Sequence, residues 1–538
     1  MNPETTHADR PSETVREAVA FHPASGRVLA RYPWMDSSQV EAAFKRARQA
    51  QPDWQQLDPR ERARRLRPLA ARLEAEADRL AAEIARCTGK PELEAISTEI
   101  LPAAIATRYY CRMAPRWLRP RRPRRSSVGF LHKRSRIHRI PHGLVSLITP
   151  WNYPLGIPAH EILCALLAGN AVVFKSSPET VPVGESLTDL FRERLPEGLL
   201  QHLIMPGPDA GARFLRPDDG VDRLGFTGSV AVGQHLARQA AETLTPVSME
   251  LGGKDAMLVC PDAPLERAVQ GALWGGMQNA GQACAGIERI YVHADIHERF
   301  RDRLAESIAG LRVGPPDRPD TDVGPLCSSR QRDRVQSQLD QALEEGARIL
   351  ARAEPGPEAD PSGYYLAPTL LGQLNDDMAI LREECFGPLL LLCPVRDMDE
   401  AVRRANDSDY GLTASVWTRS RRQGQALAAR LRVGSVTLND HLVTHGMAEL
   451  PWHGLRSSGL GVTHGQSGLE SMTLEQNRVA DRLARTPRAL WWYPYGQGLR
   501  RGLRGLLTLF HGRGIGRRLG GAGHLLRQLP RIFHGNRS

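Results

Sequence analysis

The sequence predicts an α/β protein of two or three domains, and three observations carry that expectation. Short apolar runs of strand length alternate with helix-period patterns from about residue 140 to about residue 440. The chain's 538 residues exceed one ordinary core. Hydrophobic residues at 41% against 24% charged give the balance of a globular protein, and no run of about eighteen apolar residues offers a membrane span.

The elements follow in order. Residues 1–14 read as disordered, and their acids and polarity exclude a secretion signal. A short strand is expected at 28–32. The helix after it has Ser38 and Glu41 as a capping box, with Val40, Ala43, Phe44 and Ala47 on one face. A long helical stretch over 59–86 carries Leu66, Leu69, Ala70, Leu73, Ala77 and Leu80 as a stripe. It stops at Cys87-Thr88-Gly89-Lys90-Pro91, with Gly just past the end and Pro soon after. A further helix covers 92–110. The arginine-proline block 119–125 should be exposed, and 136–140 alternates as a half-exposed strand does.

Strands are then expected at 144–148, 171–174, 203–205, 223–226 and 256–259, with helices at 161–167, 184–194 and 230–241. Such alternation argues a parallel sheet covered by helices, the architecture of nucleotide sites. A second α/β unit follows, with strands at 290–292, 389–394, 414–417 and 435–439 and helices at 295–311 and 331–345. Eight cysteines form no CxxC pair and no regular spacing, which argues against a disulfide framework or structural zinc and fits a reducing cytosol. A cytoplasmic address and no metal are expected.

The net charge of +11 is unevenly placed. Twelve arginines and no acid follow Asp481, and eleven Lys or Arg and no acid lie between Arg112 and Arg139. Set against +11, these 23 cations leave the rest of the chain near −12. The basicity belongs to two segments and says nothing of the remainder.

Six stretches carry side chains able to do chemistry. Asn279-Ala280-Gly281-Gln282-Ala283-Cys284-Ala285-Gly286 places one thiol in a small-residue loop open to close approach, although a cysteine between alanines also packs as a small hydrophobe. Asn152, in Thr149-Pro150-Trp151-Asn152-Tyr153-Pro154, follows a strand and offers a neutral amide to an oxyanion, or simply starts a turn. Lys175 ends the apolar strand Ala171-Val172-Val173-Phe174, where a cation meets a ribose or phosphate, or solvent. Gly225-Phe226-Thr227-Gly228-Ser229-Val230 runs from strand to helix, whose first N–H groups suit a pyrophosphate. Glu250, in Met249-Glu250-Leu251-Gly252-Gly253-Lys254, suits a general base for water or a solvated strand end. Glu384 and Phe386, in Glu383-Glu384-Cys385-Phe386-Gly387-Pro388, offer a carboxylate for two ribose hydroxyls beside an aromatic ring, or a charged turn.

Taken in order and spacing, these six stretches resemble the aldehyde dehydrogenase superfamily. So do Asn439 in the run Gly434 to Asp440 and the segment Pro451-Trp452-His453-Gly454-Leu455-Arg456-Ser457-Ser458-Gly459. The resemblance covers roughly residues 15 to 480. It implies a Rossmann-type cofactor domain (15–118 and 141–252), an α/β catalytic domain (253–440) and a small β oligomerisation arm (119–140 and 460–481), ahead of a basic amphipathic tail (482–538). It also implies that Cys284 attacks an aldehyde to give a thiohemiacetal, with Asn152 and the Cys284 N–H holding the oxyanion. Hydride loss to NAD or NADP leaves a thioester, and Glu250 activates the water that hydrolyses it. Lys175 and Glu384 would hold the riboses and Phe386 the nicotinamide. Gly228 and Ser229 would face the pyrophosphate, with Thr149, Trp151 and Gly233 counted among the cofactor contacts. Acyl transfer to coenzyme A and a non-catalytic membrane-associated scaffold are the alternatives, and Glu250 favours water as acceptor.

Three positions depart from the family pattern. Pro178 stands where a carboxylate often takes the adenosine 2′-hydroxyl, with Glu179 one step on, so NADP is expected to be admitted. Glu288, four residues after the nucleophile, either shapes the substrate pocket or pairs with an arginine, and pairing is the expectation. His453 and Leu455 replace small residues near Pro451. A homodimer or homotetramer is expected, with 135–140 and the segment after Thr473 as intersubunit strands. Aromatics at Trp491, Trp492, Tyr493 and Tyr495 precede leucines interleaved with arginines, which suits peripheral contact with the inner, anionic face of a membrane. A tail packed on another subunit is the rival, and sequence-specific nucleic-acid binding is not expected.

Overall fold

Runs that are apolar on both faces become the central strands of two sheets, because only a sheet covered on each side by helices buries them fully. In the computed structural model, which describes residues 17–127 and 130–534, Leu144–Ile148 and Ala171–Lys175 are buried at every position. They belong to a six-stranded sheet ordered Gly459–Leu460, Val247–Glu250, Arg223–Thr227, Leu144–Ile148, Ala171–Lys175 and Leu200–His202. Only the edge strand Gly459–Leu460 is antiparallel. The chain leaves Leu144–Ile148 in one direction and returns on its other side at Arg223–Thr227. The topological switch point therefore lies between these two strands, where open sheets form their ligand crevice.

The second sheet has seven strands, ordered Arg348–Arg352, Thr369–Gly372, Leu389–Val395, Ile287–His293, Asp255–Val259, Thr413–Trp417 and Ser435–Leu438. All neighbours but the first pair are parallel. Each sheet has its own apolar core, one built around Phe174, Leu147 and Trp54, the other around Met257, Ile290 and Leu391.

The α/β class and most elements are as the sequence predicts, and the differences have local causes. The first long helix, Ser37–Gln56, is capped by Asp36 rather than Ser38. The Asp36 side chain accepts from the Gln39 N–H at 2.8 Å and the Gln39 side chain accepts from the Asp36 N–H at 2.9 Å, which leaves Glu41 to pair with Arg213. The stretch 59–86 is three helices, Pro59–Leu66, Leu69–Ala75 and Ala77–Thr88, parted at Pro68 and Glu76. Gly89 ends the last of them in the left-handed conformation. The strand expected at 203–205 lies at Leu200–His202 instead, with the Leu203 N–H still donating to the Phe174 carbonyl at 2.7 Å. Residues 136–140 are a strand, Lys133–Pro141, but are half-buried throughout rather than alternating.

The expected disordered segment, 1–14, lies outside the described residues. A second compact unit consists of Pro120–His138 and the described chain from Glu475 onward, so residues 460–474, expected in the arm, belong to the larger unit. Strands Lys133–Pro141 and Thr473–Asp481 pair as a two-stranded sheet, and the helices Gln497–His511 and Ile515–Leu526 form a hairpin. Among the described residues no helix is long and apolar enough to cross a membrane.

Candidate active site

The first sheet contributes the carboxyl ends of its strands and the second contributes the loops that lead into its strands. Thr149 to Asn152 follow Leu144–Ile148, Gly228 and Ser229 follow Arg223–Thr227, and Glu250 ends Val247–Glu250. From the other side, Cys284 precedes Ile287–His293 and Glu384 precedes Leu389–Val395. The half-buried Cys284 lines two cavities at once.

The loop carrying Cys284 turns through three consecutive left-handed residues, Asn279 (φ 55°), Ala280 (φ 51°) and Gly281 (φ 71°). Such a run is unfavourable for residues with a Cβ and needs external bonds to hold it. Glu94 supplies two, accepting from the Asn279 N–H at 2.8 Å and from the Gln278 side chain at 3.3 Å. Asn279 in turn donates to the Asn152 and Gln282 carbonyls at 3.0 and 3.1 Å. At Gly281 a Cβ would meet the Gly387 carbonyl oxygen at 2.1 Å, so the loop packs too closely for a side chain there. Burial first, then the Asp255, Glu384 and Glu250 carboxyls, pushes the Cys284 thiol well above its usual range. Burial therefore favours the protonated thiol in the resting chain.

Asn152 is buried beside it, donating from its amide to the Gln282 carbonyl at 3.0 Å while its side-chain oxygen has no partner among the described residues. Its backbone is fixed from below. Lys90 donates to the Asn152 carbonyl at 2.8 Å and to Glu99 at 2.6 Å, and Glu99 accepts from the Leu155 and Gly156 N–H groups at 2.8 and 3.0 Å. Lys90 and Glu99 are fully buried, so the pair is screened little by solvent. Glu250 is buried and neither carboxylate oxygen meets hydrogen-bond geometry among the described residues; burial, then the Glu161 carboxyl, raises its pKa well above the carboxylate range against a smaller opposing interaction with Trp452.

The cavity on the first side of Cys284, about 290 Å³, is lined by Trp151, Asn152, Glu179, Thr227, Gly228, Ser229, Glu250, Glu384 and Phe386. Trp151 and Phe386 meet edge to face at 5.5 Å. Lys175 is buried at its strand end, brought down to about 8 by burial, and its ammonium has no hydrogen-bond partner among the described residues. Gly233 is buried one turn into the helix Val230–Thr243, against Leu251, and not on the cavity wall. Glu384 accepts from the Gly253 N–H at 3.0 Å, and burial raises it to about 7. The hydroxyls of Thr149 and Thr227 are likewise buried and unpartnered. Lys175 and Thr149 stand at strand ends outside the lining, and the lining itself offers Glu179, Glu384, the Thr227 hydroxyl, Arg330, Arg334 and a helix start at Ser229. These are groups that ribose hydroxyls and a pyrophosphate require, so the cavity fits a dinucleotide.

One expectation changes here, and another position is located. Glu288 pairs with Lys254 rather than with an arginine, and lies behind the cavity wall. It accepts from the Cys385 N–H at 3.0 Å and the Phe386 N–H at 3.1 Å, fixing the loop on which Glu384 and the left-handed Phe386 (φ 55°) sit. Arg289 binds the Lys254 carbonyl at 2.7 Å instead. Pro178 opens a single turn, Pro178–Thr180, that brings Glu179 to the cavity wall, so the carboxylate absent at 178 is supplied at 179. Asn439 is no part of either cavity lining and bonds Thr418 in both directions, at 3.0 and 2.9 Å.

The cavity on the other side, about 320 Å³, is lined by Tyr153, Ile157, Trp274, Leu442 and Val443 with His441, His445 and Asp440. Burial lowers His441 and His445 to about 4, so both are neutral near neutral pH, and the cavity lining contains no Lys or Arg. Sequence reasoning missed this wall, along with Lys90, Glu94, Glu99 and the Lys254–Glu288 pair. None of them sits in a local pattern that marks it.

The family model for the aldehyde dehydrogenase family matches residues 10–477. A 4,4'-diapolycopene aldehyde oxidase of Methylomonas sp is 38% identical over 495 residues, 92% of this chain and 91% of that protein. A Mycobacterium bovis protein provisionally named succinate-semialdehyde dehydrogenase (NADP(+)) 2 is 37% identical over 88% of this chain and 90% of its own. The NAD+ complex of an aldehyde dehydrogenase from Bacillus cereus superposes with a TM-score of 0.82 at 32% identity, over 86% of this chain and 93% of that one. With these likenesses joined to the arrangement around Cys284, the chain belongs to the aldehyde dehydrogenase family.

Proposed function

We propose that this chain oxidises an apolar aldehyde to its carboxylic acid with a nicotinamide cofactor, through a thioester on Cys284. The observation that carries the reading is the position of Cys284 as a wall of two cavities, with the buried Glu250 carboxyl in one of them. A bound nicotinamide would supply the hydride acceptor. Every other group comes from the chain. The Cys284 thiol gives its proton to water in the site as its sulfur adds to the aldehyde carbon, and the electron pair of the C=O bond moves to the oxygen, which gains negative charge. The second amide proton of Asn152 and the Cys284 N–H hold that oxyanion. Once the carbon is a thioester, Glu250 takes a proton from water as the hydroxide adds, and the thiolate departs. Lys175, Glu384, Gly228 and Ser229 bind the cofactor, with Thr149, Trp151 and Phe386 packed about it.

The substrate class follows from the second cavity, whose lining offers no cation to a carboxylate. An aldehyde such as the one in the Methylomonas relative's name suits it better than succinate semialdehyde, which carries a charge. Glu179 in the first cavity repels a 2′-phosphate while Arg330 and Arg334 in the same lining attract one, so both NAD and NADP are admitted; turnover with only one of them would contradict this. The largely exposed strand Thr473–Asp481 supports assembly as a dimer or tetramer, which light scattering of the purified chain measures. The principal test is reduced-cofactor absorbance across short, long and aromatic aldehydes for wild type and Cys284→Ala. Activity in the first and none in the second is expected; wild-type inactivity on every aldehyde would leave a scaffold role ahead.

A further inference from the structure

The helical hairpin at the chain's end satisfies its own interior and still leaves an apolar stripe outside. Leu490, Leu499 and Ile532 form a buried cluster with Leu503, Leu525 and Leu529 packed on it. Gly505 and Gly521 bring the two helices together, since a Cβ on Gly505 would meet the Gly521 carbonyl at 2.5 Å. Outside this seam, Ile515, Leu519 and Leu526 remain 79%, 67% and 62% exposed. Their spacing of four and seven residues puts them on one face of Ile515–Leu526. Arg518 and Arg527 flank that stripe, Arg513 and Arg517 lie close by in sequence, and none of the four is in an ion pair among the described residues. Trp492, Tyr493 and Tyr495 are exposed at the hairpin's entry, and Leu507 and Phe510 line an open apolar cleft of about 340 Å³ with Trp491.

We propose that this hairpin docks on an anionic phospholipid bilayer, with Ile515, Leu519 and Leu526 in the headgroup–acyl boundary and the arginines over lipid phosphates. Charge selects this occupant. No Asp or Glu follows Asp481, so the segment has no internal anion for its arginines. A second copy of the same stripe would bring arginine against arginine, which opposes an isologous interface. Nucleic acid would take the arginines and leave the stripe in water. Exposed Trp and Tyr beside a basic amphipathic helix are the composition of an interfacial segment.

The test is flotation of the full chain with vesicles of phosphatidylcholine, alone or mixed with phosphatidylglycerol. Binding is expected to be about tenfold or more stronger to the mixed vesicles and to weaken with salt. The variant Ile515→Asp/Leu519→Asp/Leu526→Asp should lose about tenfold or more of it, and Arg517→Gln/Arg518→Gln a smaller part. Both should keep wild-type activity on a soluble aldehyde, which shows that they fold. Equal binding to neutral and anionic vesicles, no binding at all, or unchanged binding by the triple aspartate variant overturns the proposal. A fall in molar mass by light scattering for that variant, with no vesicle binding by wild type, would assign the stripe to a second copy instead.

Discussion

The two cavities that meet at Cys284 are walled by opposite chemistry. One holds the carboxylates Glu179, Glu250 and Glu384, with Lys175 at the neighbouring strand end; the other holds Tyr153, Trp274, aliphatic side chains and two histidines kept neutral by burial. The cations and most of the carboxylates lie on the side where a cofactor's hydroxyls and phosphates can satisfy them, and the other wall carries Asp440 as its one acid. A group that must be held by several fixed polar contacts needs a charged cavity, and one held mainly by exclusion of water needs an apolar cavity. The thiol lines both, as the proposed reaction requires of a group whose target carbon would face the substrate wall before reaction and the cofactor wall during it.

Substitutions can break this division, and the largest effect is expected at the shared residue. Cys284→Ala should lower aldehyde oxidation by about 10³-fold or more and leave cofactor affinity within about twofold, as fluorescence titration would show. Glu250→Gln comes next, with steady-state turnover down by about 10²- to 10⁴-fold. Because only the water step is affected, a burst of reduced cofactor in the first turnover should survive; loss of the burst would move Glu250 to an earlier step.

Behind the charged wall, Lys254→Met leaves the Glu288 carboxylate buried without its cation. Chemical denaturation should report a loss of about 3–5 kcal/mol, and a loss below about 1 kcal/mol would deny the pair its role in holding the Glu384–Phe386 loop. A pH dependence is smaller and sharpens the same point. In the proposed cofactor site Glu384 would accept two ribose hydroxyls as a carboxylate, and burial holds it at about 7. The apparent KM for the cofactor should therefore rise as pH falls below about 7, by up to about tenfold per unit. In Glu384→Gln that slope should vanish while the KM itself is raised. The stability sign is opposite: the folded chain keeps this proton longer than the unfolded one, so the group stabilises the fold at acid pH and that contribution fades as pH rises through about 7.

Much of this was legible in the sequence, and the remainder shares a physical cause. Strands buried on both faces, such as Leu144–Ile148 and Ala171–Lys175, announce themselves as apolar runs between helical patterns. Cys284, Asn152, Glu250, Lys175 and Glu384 stand in local stretches whose order carries the family. What the sequence hid depends on partners far along the chain. Glu94 bonds Asn279, Lys90 bonds Asn152, and Glu288 bonds Lys254 and the Cys385 N–H, each at separations that leave no periodic trace. The cap at Asp36 was missed for a different reason, since two overlapping boxes fit the same residues and only backbone geometry chooses between them. Glu179 needed the turn at Pro178 to show where it points.

The division of charge is tested most directly by the ratio of kcat/KM for a linear alkanal to that for succinate semialdehyde. An unpaired carboxylate in the apolar cavity costs several kcal/mol, so the ratio should favour the alkanal by about 100-fold or more. A ratio near one, or one that favours the semialdehyde, would contradict the account.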